Sequence, residues 1–188
     1  IFSFAQSEDF KKLSYPQLDS IMQAKFIEGN LDIALPYVVA AKDKAFQDFG
    51  KQDSVYAEYV GSLGVLYREK QQVQLAEQYI KEAMSIFEKK FGKLHISYCT
   101  FLDHLGLLYW KAGQYPKAET TFLETLALQE KALGSNHLNY ITTLSNLATV
   151  YLAVGNAVKA EDILLKVLTL QEKIIGKEHP QSIQTQNN

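Results

Sequence analysis

Three histidines recur at one interval in this chain: His95, His137 and His179 lie 42 residues apart. A periodic histidine pattern invites a metal reading, because the neutral imidazole nitrogen is a common ligand for zinc and its neighbours. The spacing argues against it. Ligands must converge to about 2.0–2.1 Å from one ion, whereas equivalent residues of stacked helical units stand about 8–10 Å apart. These side chains cannot share a metal, and a role in closing a turn and capping the next helix fits them better. The other reactive groups are few. Cys99 is the only cysteine, so it forms no internal disulfide and belongs to no CxxC pattern. It takes the place held by Ala57 and Ile141 one interval to either side, a small buried apolar position. Asp103 and His104 are adjacent, but neighbouring helical residues point about 100° apart, and no serine or thiol is spaced to complete a triad with them. No GxSxG, HExxH, GxxxxGK or glycine-rich dinucleotide loop occurs. The sequence reads as non-enzymatic and calls for no cofactor and no metal.

Composition narrows the partners. The chain has 188 residues, 47% of them hydrophobic, and a formal net charge of −2, enough apolar material to bury a sizeable core. Its 19 basic and 21 acidic residues are interleaved, leaving no basic stripe for a nucleic acid backbone or an anionic membrane. No apolar run reaches the roughly 18 residues of a membrane-spanning helix. Residues 1–13 are set apart as an N-terminal segment. Its Ser3-Phe4-Ala5 has the small-x-small form of a secretory cleavage site behind an apolar stub. If IFSFA is a signal-peptide remnant the protein is secreted or periplasmic, and otherwise it is cytoplasmic.

What must position any functional residue is a repeat. Gly50, Gly92, Gly134 and Gly176 share the 42-residue step, as do Tyr56, Tyr98 and Tyr140, then Leu63, Leu105 and Leu147, and Ala34, Ala76, Ala118 and Ala160. Apolar residues within each unit follow helical spacing: Leu144, Leu147, Ala148, Val150 and Tyr151 form one stripe, and Ile163, Leu164, Val167 and Leu168 another. Two helices per unit follow, over about 14–49, 53–91, 95–133 and 137–175, with a truncated fifth unit from 179. Gly29, Gly113 and Gly155 fall where a helix C-terminus favours positive φ. Gln71 replaces that glycine in the second unit, which predicts a strained or lengthened turn there. The four glycines from Gly50 to Gly176 are expected to cap the second helices. The tail GKEHPQSIQTQNN aligns with GSNHLNYITTLSNLATVY and stops at the place of Asn146. The chain therefore reads as part of a longer one.

The series Leu105-Gly106, Tyr109, Ala118 and Phe122 resembles the tetratricopeptide repeat. The 42-residue period and the GxxHP-like turn resemble the longer variant found in kinesin light chains and many bacterial repeat proteins. The resemblance covers roughly residues 14–188 and implies an all-α fold, a right-handed α-solenoid of antiparallel helix pairs. It also implies a protein–protein interaction scaffold that takes a peptide or partner protein in a concave groove lined by the first helices. Counted from the core leucines, that groove would include Ser62 and Arg68 from the second unit. The third would supply Asp103, His104, Trp110 and Lys111, and the fourth Thr142, Ser145 and Asn146. Repeat one would add Asp19, Ser20, Gln23 and Phe26. In the kinesin-light-chain type an Asn at the position of Asn146 resembles a clamp for a peptide backbone, while Ser62 and His104 depart from it. The cut at Asn188 suggests a second expectation, a sensory or docking portion of a larger enzyme of protease or kinase type whose catalytic domain lies beyond residue 188. It also suggests self-association through the truncated C-terminal edge.

Overall fold

The computed structural model describes Phe10 and residues 12–175. The IFSFA segment, His179 and the truncated fifth unit lie outside the described residues. Every described element is a helix, in the order α1 (Tyr15–Ile27), α2 (Leu31–Phe49), α3 (Ser54–Glu69), α4 (Val73–Phe91), α5 (Ile96–Lys111), α6 (Tyr115–Leu133), α7 (Leu138–Ala153) and α8 (Ala157–Ile175). The helices pack in sequential pairs. Two compact units are built this way, residues 1–90 and residues 91–188.

Small residues set the pairing within each unit. At Gly64 of α3 an added Cβ would lie 2.6 Å from Ile80 of α4, and at Gly106 of α5 it would lie 2.6 Å from the Phe122 ring of α6. The fourth pair places Ala148 at this register against a smaller partner position, Leu164. Ala41, Ala83, Thr125 and Val167, which share the period on the second helices, are all fully buried. Thr125 satisfies its hydroxyl by donating to the Thr121 carbonyl oxygen at 2.8 Å. In residues 1–90 the core gathers Ala34, Val38, Leu63 and Leu66, with Met22, Leu35, Val39, Tyr67 and Tyr79 around it.

The helix ends follow the residues that stand there. Gly29, Gly113 and Gly155 have φ of 73°, 69° and 74°. Gln71 adopts φ 58° in a turn as short as its counterparts, so of the two expected outcomes the molecule takes the strained one. A side chain in the left-handed region costs about 1–2 kcal/mol. Gly50, Gly92 and Gly134 follow α2, α4 and α6 with φ of 84°, 81° and 81°. Each next helix opens on a side-chain cap. Val55 donates its N–H to Asp53 Oδ1 at 2.8 Å, Ser97 to His95 Nδ1 at 3.3 Å, and Asn139 to His137 Nδ1 at 3.1 Å. His95 and His137 are thus helix caps that accept through Nδ1.

Candidate functional site

In residues 91–188 the first helices α5 and α7 lie side by side, and the hydrogen bonds between them join side chains that the repeat register places 40 and 43 residues apart. Thr143 Oγ1 donates to Asp103 Oδ1 at 2.8 Å. Asn146 Nδ2 lies 3.3 and 3.1 Å from the two oxygens of the same carboxylate. Asp103 is 9% exposed and Thr143 1%, so this polar cluster sits beneath the first-helix surface. A buried carboxylate is tolerated only when donors surround it, and here α7 supplies two.

Around this cluster the candidate residues take distinct stations. His104 is half-buried beside Phe101, with ring centroids 6.1 Å apart. Trp110 is half-buried and Lys111 exposed at the end of α5. On α7, Thr142 is exposed and Ser145 and Asn146 half-buried. Thr142 and Ser145 donate their hydroxyls to the carbonyl oxygens of Leu138 and Ile141 at 3.0 and 3.1 Å, one turn back. Asn146 differs. Its amide nitrogen is engaged by Asp103, and its carbonyl oxygen has no partner among the described residues and is not buried. The surface of α5 and α7 thus offers an aromatic ring, a cation and an outward carbonyl oxygen.

In residues 1–90 an open cleft of about 390 Å³ runs between α1 and α3, lined by Asp19, Met22, Gln23, Val55, Glu58, Tyr59 and Ser62. It joins three expected groove positions, Asp19, Gln23 and Ser62. Tyr59 donates its hydroxyl to Asp19 Oδ1 at 3.0 Å, and burial, followed by that bond, pushes the phenol's pKa well up. Ser62 turns its hydroxyl back onto the Glu58 carbonyl oxygen at 2.9 Å. Arg68, expected on the groove face, is 8% exposed, and its Nε and Nη2 lie 3.0 and 2.8 Å from Glu69 Oε1. Phe26, at the same register on α1, is 39% exposed.

The reactive groups raised by the sequence have structural settings. Cys99 is fully buried, its Sγ 3.5 Å from the Lys93 carbonyl oxygen, and burial raises its thiol pKa. Among the described residues no three His, Cys, Asp or Glu side chains gather to hold a metal ion, and no helix is long and apolar enough to cross a membrane. Sequence reasoning missed Thr143, whose place beside Asp103 depends on how two first helices abut. The signal available was the shared offset of Asp19 with Tyr59 and of Asp103 with Thr143.

A family model described as tetratricopeptide repeat matches residues 56–131, 97–173 and 140–188. No curated protein matches the chain. Among solved structures it is similar to BtubC (BKLC) from P. vanneervenii, with 18% identity, a TM-score of 0.78, and coverage of 95% of this chain and 75% of that one. A kinesin-light-chain-type protein of nearly identical TPR-like repeats from Podosopora anserina is similar at 21% identity and a TM-score of 0.66, over 88% of this chain and 81% of that one. The apo form of RapI is similar at 17% identity and a TM-score of 0.71, covering 92% of this chain and 60% of that one. At these identities the likeness is one of fold.

Proposed function

The chain belongs to the tetratricopeptide repeat family, and we propose that it is a protein-interaction module whose first helices receive an extended peptide. Repeats of this family generally serve protein interaction and are typically non-catalytic. The observation that carries the finer reading is the α5–α7 surface. Asn146 turns an unpartnered carbonyl oxygen outward there, on helices that also present Trp110, Lys111 and His104. An extended main chain has unpaired N–H groups to give such an acceptor, and the flat indole of Trp110, about two turns along α5 from Asp103, accommodates an apolar side chain at low entropic cost.

The test uses a dodecapeptide taken by selection on the native chain from a random displayed library. Trp110 is the only tryptophan, so intrinsic fluorescence reports directly on its surroundings. The expected result is a change in that signal on peptide addition. Trp110→Ala should weaken binding by roughly tenfold or more, the effect of losing a moderate interface anchor, while the helical circular dichroism and the melting temperature stay nearly unchanged. An unchanged affinity with a clear loss of stability assigns Trp110 to packing and overturns the reading.

A further inference from the structure

The Asp103 cluster does more than satisfy a buried charge. A carboxylate only accepts hydrogen bonds, so the nitrogen end of the Asn146 amide must face it, and the carbonyl end must face away. Both carboxylate oxygens of Asp103 lie within 3.3 Å of Asn146 Nδ2, while Thr143 fixes Oδ1 from below at 2.8 Å. The side chain of Asn146 is thereby denied the flip that would present its N–H₂ group to a ligand. Building on the peptide reading above, we infer that Asp103 is a positioning residue: it locks Asn146 as a hydrogen-bond acceptor, so that this part of the surface selects a main-chain segment with a free N–H and rejects proline at that residue.

The other unit offers an internal comparison. Asp19 holds the register of Asp103, and Tyr59 holds that of Thr143 and likewise donates to the carboxylate, at 3.0 Å. At the register of Asn146, however, Ser62 is too short to make the second contact and bonds its own helix instead. The same carboxylate thus lines an open cleft in residues 1–90 and orients an amide in residues 91–188. Of these two aspartates, Asp103 is the one that meets an asparagine, 43 residues on, and Asp19 meets a serine.

The experiment scans the selected dodecapeptide with single backbone N-methyl groups and measures each affinity by fluorescence anisotropy. On the native chain one N-methyl position should cost about tenfold or more, the worth of one well-formed hydrogen bond and the partner left unmet. Asn146→Ala should remove that selective penalty. Asp103→Leu should reduce it to about threefold or less, because the freed amide can flip to offer its N–H₂ group. Asp103→Asn keeps an acceptor oxygen for Asn146 and Thr143 and should restore the penalty, a rescue that a purely structural role would not tie to one peptide N–H. A full penalty in Asp103→Leu overturns the inference while leaving the peptide reading intact. No N-methyl position sensitive to Asn146→Ala overturns the peptide reading at this surface and the inference with it. A second measurement needs neither ligand nor variant: by NMR the Asn146 side-chain amide protons should exchange with solvent more slowly than those of Asn156, whose oxygen accepts from the Lys159 N–H. Equal exchange overturns the lock.

Discussion

Gly106→Ala should destabilise the protein although it replaces the poorest helix former but proline with the best. The added Cβ would lie 2.6, 2.8 and 2.9 Å from Cε1, Cδ1 and Cζ of the Phe122 ring, and that ring is fully buried, so it cannot swing aside without displacing its neighbours. Overpacking of a close-packed core costs about 1–3 kcal/mol, and the gain in helix propensity offsets about 1 kcal/mol, leaving a net loss of up to about 2 kcal/mol. In a chain of this size that lowers the melting temperature by up to roughly 8 °C. The fourth pair shows the remedy, since it places Ala148 opposite the Leu164 position. Phe122→Leu alone should cost about 1 kcal/mol, as volume-reducing apolar swaps do, and the double variant should be no less stable than Gly106→Ala alone. The assay is urea unfolding of all four proteins, with the coupling taken from the double-mutant cycle. Additive losses would refute the argument that glycine is there to admit the ring. At Gly64 the same Cβ would meet the Ile80 backbone nitrogen at 2.9 Å as well as its side chain, so Gly64→Ala should resist rescue by any substitution of Ile80.

Gln71→Gly should stabilise the protein by about 1 kcal/mol, because φ 58° is costly for a side chain and free for glycine; a thermal melt that is unmoved or lowered contradicts this. Gln129→Leu should also stabilise, by about 1 kcal/mol, since the glutamine is 2% exposed and buries an oxygen with no partner where the second pair has Phe87; urea unfolding checks it. Asp53→Ala should cost about 1 kcal/mol near neutral pH through the lost cap. Lys90 first, and then the Val55 N–H, hold the Asp53 pKa below its ordinary value. Its contribution is therefore present above the unfolded carboxylate range and disappears as the pH falls through the folded value, so melting curves of native and variant protein should converge in acid.

The helices and their ends were legible because each depends on local chemistry. The 42-residue step carries the pairing, glycines end the helices, and the histidines stand where a cap is needed. Depth on the first-helix surface was not legible. Counting from a core leucine finds which side of its own helix a residue occupies, and by that measure Asp103 and Arg68 belong with Trp110 and Lys111. The neighbouring first helix decides the rest: α7 covers Asp103 with Thr143 and Asn146, a contact signalled only by the offset that Asp103 and Thr143 share with Asp19 and Tyr59. Arg68 lies down against Glu69, the next residue. Gln129 and Gln171 escaped notice for the opposite reason, since polar side chains at 2% and 7% exposure break the pattern by which buried positions are recognised.

The central claim is that the first helices are the receiving surface. Backbone amide NMR shifts, followed while the selected dodecapeptide is titrated into the native chain, test it most directly. The account predicts that the largest changes map to α5 and α7, around His104, Trp110, Lys111, Thr142 and Asn146. Changes confined to the outer faces of α6 and α8, where Leu123 and Leu165 are exposed, with α5 and α7 silent, would contradict it.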